Sequence, residues 1–486
     1  MKPFSIFNTL SRKVERFEPL KPPTVTLYSC GPTVYLPQHL GNMRAYLFVD
    51  TLKRALRFHG YDVRHVMNIT DVGHMTSDED AGEDKVEKTA RAEGKSPREV
   101  ADFYIAQFKR DCAALNIELP PDADSTDHVS PPQSVLCRAT ENIGAMIALI
   151  ERIIAHGYAY VAASGVYFDV EKWRGAARVG RLSRQSLDEQ HAGQRLEHSP
   201  DKKSPHDFAL WVLNQPGHLM QWDSPWGRGY PGWHIECSAM SMKYLGETLD
   251  IHTGGLDHIP IHHENEIAQS ESATGHPFAR YFVHNAFLVG MEGAKISKSA
   301  GKFPLVADLV AQGVDPLAFR LFCFGAKYRS ELVFSLDALR AAQTNLNYFS
   351  EFASNVPDEA VAGPDSEWTA GYLERFSAEL ADDLNTPRAL AVALELVHEA
   401  YTRNDKSIWS ALHKLDSVLG LKLDERRLAA HAQFPAEILE LQKKRDQARA
   451  ERDFNRADAL RKELFSRGYE VKDIPGGSTI APRRNP

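Results

Sequence analysis

The sequence predicts an α/β chain: a Rossmann-like, doubly wound parallel sheet with an insertion, followed by a helical bundle domain and a small C-terminal domain. Three observations lead there. An apolar run, "TVTLYSC" (24–30), is followed by a helical stretch and then directly by a second apolar run. Strand and helix alternation lapses from about residue 98 to 220 and then resumes to about 305. Beyond that point almost every periodic segment is helical. With 486 residues, the chain exceeds what one core normally organises, so roughly two to four domains are expected.

The elements follow in order. "GNMRAYLFVDTLKRALRFHGY" puts Ala45, Phe48, Val49, Leu52 and Leu56 on one helical face, and "DVRHVMNIT" supplies the next strand. This βαβ unit presents a ligand beyond its strand ends, near the helix N-terminus. No GxGxxG follows the first strand, so a dinucleotide is not indicated. Inside 98–220, "REVADFYIAQFKRDCAALNI" and "SVLCRATENIGAMIALIERIIAHGY" read as helices and "YAYVAASGVYFDV" as a hairpin, an insertion between the halves of the sheet. "GWHIECSAMSMKYLGETLDIHTGG" and "ARYFVHNAFLVG" restore the alternation, closing a Rossmann-like domain at 1–305. A helical domain spans 306–425. From Phe434, one charged amphipathic helix closed by Gly468 and a loose tail, "GGSTIAPRRNP", complete an appendage at 434–486.

Composition narrows the functional classes. Hydrophobic residues make up 43% and charged residues 25%, and no apolar run approaches the roughly 20 residues of a membrane helix. The N-terminal "MKPFSIFNTLSRKVERFEPL" meets charges before an apolar core can build, so a cytoplasmic setting is expected rather than secretion. Five scattered cysteines without a CxxC pair argue against a disulfide framework, leaving reduced thiols or metal ligands. The net charge of −8 argues against indiscriminate polyanion binding, but the segment from Phe434 reverses the sign, with twelve Lys and Arg against nine Asp and Glu.

The chemistry concentrates in short stretches. In "IPIHHENEIAQS", His262 and Glu266 stand four apart and share a helical face, which suits two metal ligands or a simple i,i+4 pair, while His263 is expected to point elsewhere. Cys30 ends the first strand and Cys237 lies at another apparent strand-to-helix junction, positions that serve either packing or a site. "QHLGNMRAY" sets His39, Gly41 and Asn42 at a helix start, where Gly41 leaves room for a phosphate. "GAKISKSAGKF" places Lys295 and Lys298 in a glycine-bounded loop able to close on phosphate.

In combination, HLGN and KISKS resemble the HIGH and KMSKS signatures of the class I aminoacyl-tRNA synthetases. "CGPTVY", "NITDV", "SPWGRGYPGWHIECSAMS", "HHENEIAQSE" and "DDLNTPRALAV" further resemble the cysteinyl-tRNA synthetases in order and spacing, over nearly the whole chain. That resemblance implies one Zn2+ per chain on Cys30, Cys237, His262 and Glu266, reading the thiol of L-cysteine. It implies a cysteine pocket lined by Thr70, Trp233 and His252. His39, Gly41, Asn42, Lys295 and Lys298 would bind ATP with Mg2+, His39 and Asn42 joining the two lysines in catalysis. The partners would be ATP, L-cysteine and tRNA(Cys), with no membrane. Adenylation of cysteine and transfer to the tRNA 3′ end is the implied reaction; a ligase joining cysteine to an amino sugar and a catalytically silent binding protein are the rivals. Three departures stand out: Asn42 replaces the second histidine of the first signature, Ile296 replaces methionine in the second, and "TGG" (253–255) stands for three glycines.

Overall fold

Strand β1 (Thr24–Ser29) is buried along nearly its whole length, as a parallel strand covered on both faces must be. The computed structural model describes residues 2–72, 84–123, 133–175, 180–185, 201–215, 217–290, 304–361, 366–432, 435–474 and 477–482. From β1 the chain enters helix α1 (Leu40–Phe58) and returns as β2 (Asp62–Ile69). Helices α2 (Lys85–Glu93) and α3 (Pro97–Ala114) lead to β3 (Val135–Arg138). Helix α4 (Ile143–Ala155) follows, then an antiparallel sheet of β4 (Ala159–Val161), β5 (Gly165–Phe168), β6 (Phe208–Leu213) and β7 (Gly229–Pro231). Helix α5 (Trp233–Leu245), β8 (Leu249–Gly255), α6 (His262–Thr274) and β9 (Ala279–Asn285) complete the parallel layer.

That layer runs β9-β8-β1-β2-β3, every neighbouring pair parallel. Strand order therefore reverses between β1 and β8, the place where doubly wound sheets open a crevice beyond their carboxyl ends. A buried carboxylate fastens this junction: Asp250 of β8 accepts the Thr26 backbone N–H at 2.8 Å and its hydroxyl at 2.9 Å, and the Leu20 N–H at 2.6 Å.

One expectation for the insertion needs correction. "SVLCR" was expected to begin a helix, yet Val135–Arg138 is the edge strand, paired with Val66–Ile69, and the helix starts only at Ile143. An unbroken apolar run has no period to separate strand from helix, and pairing with β2 decides it. The inserted residues share one core with the parallel layer, in which Val66, Cys137, Ile150, Phe168, Trp211, Ile235 and Phe282 are all buried together.

Two compact units divide the chain: 3–313 with 328–334, and 1–2 with 314–327 and 335–486. The division falls at 313 and not at 305, because the short helix Val306–Ala311 packs on α3. In the second unit, helices including Leu336–Ser354, Thr386–Arg403 and Trp409–Leu419 bury Leu346, Phe349, Leu396 and Leu412. Its C-terminal part carries a separate small core of Ile438, Leu464 and Val471. The single long helix expected there is two, Ala436–Ala450 and Phe454–Ser466, parted at Arg452 with φ 60° and restarted by Asp453, which accepts from the Arg456 N–H at 3.0 Å. The tail expected to be loose pairs as a hairpin, Tyr469–Ile474 with Gly477–Pro482.

Asp250→Ala removes three hydrogen bonds from a carboxylate and strands the Thr26 and Leu20 donors. The expected cost is on the order of 3 kcal/mol, seen as a lower urea midpoint for the first unit than in Asp250→Asn, which keeps an acceptor.

Candidate functional site

Four expected ligands converge at the carboxyl edge of the β1/β8 junction. Cys30 follows the last residue of β1, Cys237 lies one turn into α5, and His262 and Glu266 occupy the first two turns of α6. One donor atom from each, the two sulfurs, an imidazole nitrogen and a carboxylate oxygen, lies within 4.8 Å of every other. Cys237, His262 and Glu266 are buried and Cys30 is partly so.

Charge separation is built into the cluster. A hydrogen bond from Cys30 brings the Cys237 thiol down to about 6, against the effect of burial. The same bond and burial push Cys30 up. Burial disfavours the His262 cation, but the adjacent Glu266 and Cys237 outweigh it and raise the imidazole to about 10. Burial likewise opposes the Glu266 anion, and His252 and His262 overcome it, holding the carboxyl below its usual range. Anionic and cationic groups thus occupy a pocket that apolar packing could have filled more cheaply.

Geometry tests whether a cation fits. Glu266 Oε1 stands 3.0 Å from His262 Nε2, yet this buried oxygen has no aligned hydrogen-bond partner among the described residues. Two donors that approach closely without facing each other suit a common third point, and edges of about 3.3 Å are what metal bonds of about 2.0 Å produce. Behind that point the other groups are braced: His252 Nε2 meets Glu266 Oε2 at 2.8 Å, and His234 Nδ1 meets His262 Nδ1 at 2.8 Å. Two thiols, an imidazole and a carboxylate match the donor set of a tetrahedral centre.

His263 does not point elsewhere. Its Nε2 lies 3.5 Å from Cys30 Sγ and its Nδ1 2.8 Å from His284 Nε2, which places it in a second possible donor set with Cys30, His252 and Glu266. Helical spacing failed here because α6 is buried on nearly every side, so consecutive residues both face protein. Burial and the neighbouring histidines hold His263 and His284 well below the ordinary imidazole range, making them neutral. The set with Cys237 carries two sulfurs where the second set carries one, which gives it the better match to a zinc ion.

Of the expected pocket residues, Trp233 is half-buried and stacks on His262 with ring centroids 4.4 Å apart. Thr70 is buried and donates to Glu236 Oε2 at 3.2 Å. His252 is fully buried, at the back of the Glu266 carboxylate.

At the other side of the crevice, His39 is the N-cap of α1. Its Nδ1 accepts the Asn42 N–H at 3.2 Å while Asn42 Oδ1 accepts the His39 N–H at 3.3 Å, a reciprocal capping box. Gly41 occupies the second helical position. A backbone N–H can only donate, so Nδ1 is an acceptor and the neutral ring carries its proton on Nε2. Asn42 thereby spends its oxygen on the cap and keeps its NH2 as a donor. Lys295 and Lys298 lie outside the described residues.

Asn42→Ala therefore opens the capping box, with an expected loss of about 1 kcal/mol and faster hydrogen exchange at the His39 amide. Asn42→Asp keeps the acceptor and should leave both unchanged.

The family model described as tRNA synthetases class I (C) catalytic domain matches residues 16–344, the DALR domain matches 375–424, and the cysteinyl-tRNA ligase anticodon binding domain matches 431–480. The cysteine–tRNA ligase of Treponema denticola is 41% identical, with 98% of each chain covered. Cysteine–tRNA ligase 1 of Burkholderia lata is 43% identical, covering 98% of this chain and 97% of its own. Among solved structures, methionyl-tRNA synthetase of Mycobacterium tuberculosis with methionyl-adenylate aligns with a TM-score of 0.54 at 15% identity, over 84% of this chain and 90% of that one. A LeuRS ternary complex from Agrobacterium radiobacter aligns at 0.58 and 12%, over 86% of each; these two likenesses speak for the fold alone. Catalytic and anticodon-binding matches of that extent, with full-length relatives above 40% identity, leave one assignment: the chain belongs to the cysteinyl-tRNA synthetases, class I cysteine–tRNA ligases.

Proposed function

We propose that the chain reads its amino acid through a zinc ion on Cys30, Cys237, His262 and Glu266, activates L-cysteine with ATP and Mg2+, and transfers it to tRNA(Cys) in the cytoplasm. The convergence of those four donors within 4.8 Å of one another carries the reading. A zinc ion held there would accept a thiolate sulfur far more readily than a hydroxyl oxygen, the one atom by which cysteine differs from serine.

The chain's own residues supply the rest. Trp233, Thr70 and His252 bound the amino-acid side, His252 acting through Glu266. His39, fixed by the helix cap, offers Nε2–H toward the ATP phosphates, with Gly41 and the α1 N-terminus beside it. The Asn42 NH2 adds a second donor where a histidine would bring a potential charge. Lys298, assisted by Lys295, opposes the negative charge that grows on departing pyrophosphate. None of the five cysteines is in a disulfide, which agrees with a reducing compartment, and among the described residues no helix is long and apolar enough to cross a membrane. The match of 431–480 to an anticodon-binding domain favours tRNA over an amino sugar as acceptor.

The purified chain is expected to hold about one zinc. Cys237→Ala should lose it and raise the KM for cysteine much more than that for ATP, whereas His263→Ala should retain it; loss in His263→Ala with retention in Cys237→Ala would transfer the metal to the second donor set. In cobalt-substituted protein, cysteine should strengthen the sulfur-to-metal charge-transfer band and serine should not. An unchanged spectrum at saturating cysteine, in protein active in ATP–pyrophosphate exchange, rejects thiol recognition by the ion.

Removal of 434–486 should weaken tRNA charging at least tenfold while sparing cysteine-dependent exchange, because phosphate contacts dominate nucleic-acid affinity. Equal loss of both activities would contradict this division of labour.

A further inference from the structure

A run of hydrogen bonds joins the two segments that deliver the sulfurs. The Gly31 N–H, in the peptide after Cys30, donates to Asn68 Oδ1 at 2.8 Å. Asn68 Nδ2 donates to Thr70 Oγ1 at 3.0 Å, and Thr70 Oγ1 donates to Glu236 Oε2 at 3.2 Å, in the residue before Cys237. Direction is fixed from one end, since a backbone N–H can only donate and each later group passes on the opposite role. Asn68, Thr70 and Glu236 are 1%, 2% and 0% exposed. Gly31 lies so close to β2 that a Cβ there would stand 1.7 Å from the Asn68 carbonyl oxygen.

Glu236 is the costly member. It is fully buried, its Oε1 has no hydrogen-bond partner among the described residues, and the Thr70 hydroxyl is its hydrogen bond at Oε2. A helix packed only for stability would place an apolar side chain there. We propose that Asn68 and Glu236 are positioning residues that set the separation of Cys30 and Cys237, by tying β1 to α5 through β2 without touching either sulfur. Two thiolates on one tetrahedral zinc stand about 3.8 Å apart, a distance that two independently moving segments would not hold. The inference rests on the metal centre proposed above.

Zinc affinity of the full chain, measured by competition with a chromophoric chelator, tests it. Glu236→Met keeps the bulk and removes the acceptor, and should weaken zinc by about tenfold or more, whereas Glu236→Gln keeps a carbonyl acceptor and should stay within about threefold of the parent. Asn68→Ala should match Glu236→Met, and the double variant should lose little more than either alone, since one broken link already frees the run. The visible band of Co2+-substituted Glu236→Met should weaken as the site departs from tetrahedral geometry. Parental affinity in folded Glu236→Met, or losses that multiply in the double variant, would overturn the inference. Should Glu236→Met fail to fold, Asn68→Ala decides by the same measurement. A parent chain that takes up no zinc overturns the metal centre itself, whereas a zinc-binding parent with unaffected variants overturns only the positioning role.

Discussion

Everything around the crevice answers to one constraint: a carboxylate, Glu266, sits fully out of water on the second turn of α6. An unpaired charge in that position would cost several kcal/mol. His252 meets one of its oxygens at 2.8 Å and His262 stands 3.0 Å from the other, and each histidine is held in turn by the elements behind it. His262 leans on His234 of α5, and His252 sits on β8, the strand fastened to β1 by Asp250. The position of one carboxylate thus depends on three elements that meet only because strand order reverses between β1 and β8.

Glycine and threonine at the carboxyl end of β8 follow from the same crowding. A Cβ at Gly254 would stand 2.6 Å from His258 Nδ1 and 2.7 Å from the His263 ring, so the histidines can gather only where the backbone carries no side chain. Position 253 has no such neighbour problem. Thr253 is buried and its hydroxyl donates to the Tyr28 carbonyl at 3.3 Å, while its own carbonyl accepts the Cys30 N–H at 3.3 Å. The departure from three glycines therefore adds a stitch across the β1/β8 seam and leaves the close approach at Gly254 intact.

The parallel layer was legible in local sequence, as apolar runs alternating with a 3.6-residue face; the four donors were named by the resemblance of their motifs to the cysteinyl-tRNA synthetases, since the residues alone left packing or a surface pair open. His263 was not legible, because a helical wheel separates neighbours by 100° and says nothing of a helix enclosed on all sides. Nor was the brace through Asn68 and Glu236. An asparagine in a strand and a glutamate in a helix carry no signal until the fold shows that one is buried beside the other. The C-terminal hairpin escaped for a different reason: its glycines and small polar residues read as loose, and only a facing strand whose Val471 packs with Ile438 and Leu464 gives them order.

A ligase that must separate cysteine from serine has two routes, a second site that destroys the wrong product or a first site that never admits it. The second route needs a body able to receive a product away from the reaction. The antiparallel sheet after α4 is poorly suited to that, because Phe168, Phe208 and Trp211 from its strands are buried in the same core as Val66, Cys137 and Phe282 of the parallel layer. Its strands serve the first site instead: Gly232, directly after β7, is the N-cap of α5, and a Cβ on it would meet the Ala209 carbonyl oxygen at 2.1 Å. Trp233 and Cys237 are thereby launched from a turn pressed against β6. The inserted sheet holds the helix that carries one of the two thiols, and rigidity there is what the proposed thiol-reading site would draw from it.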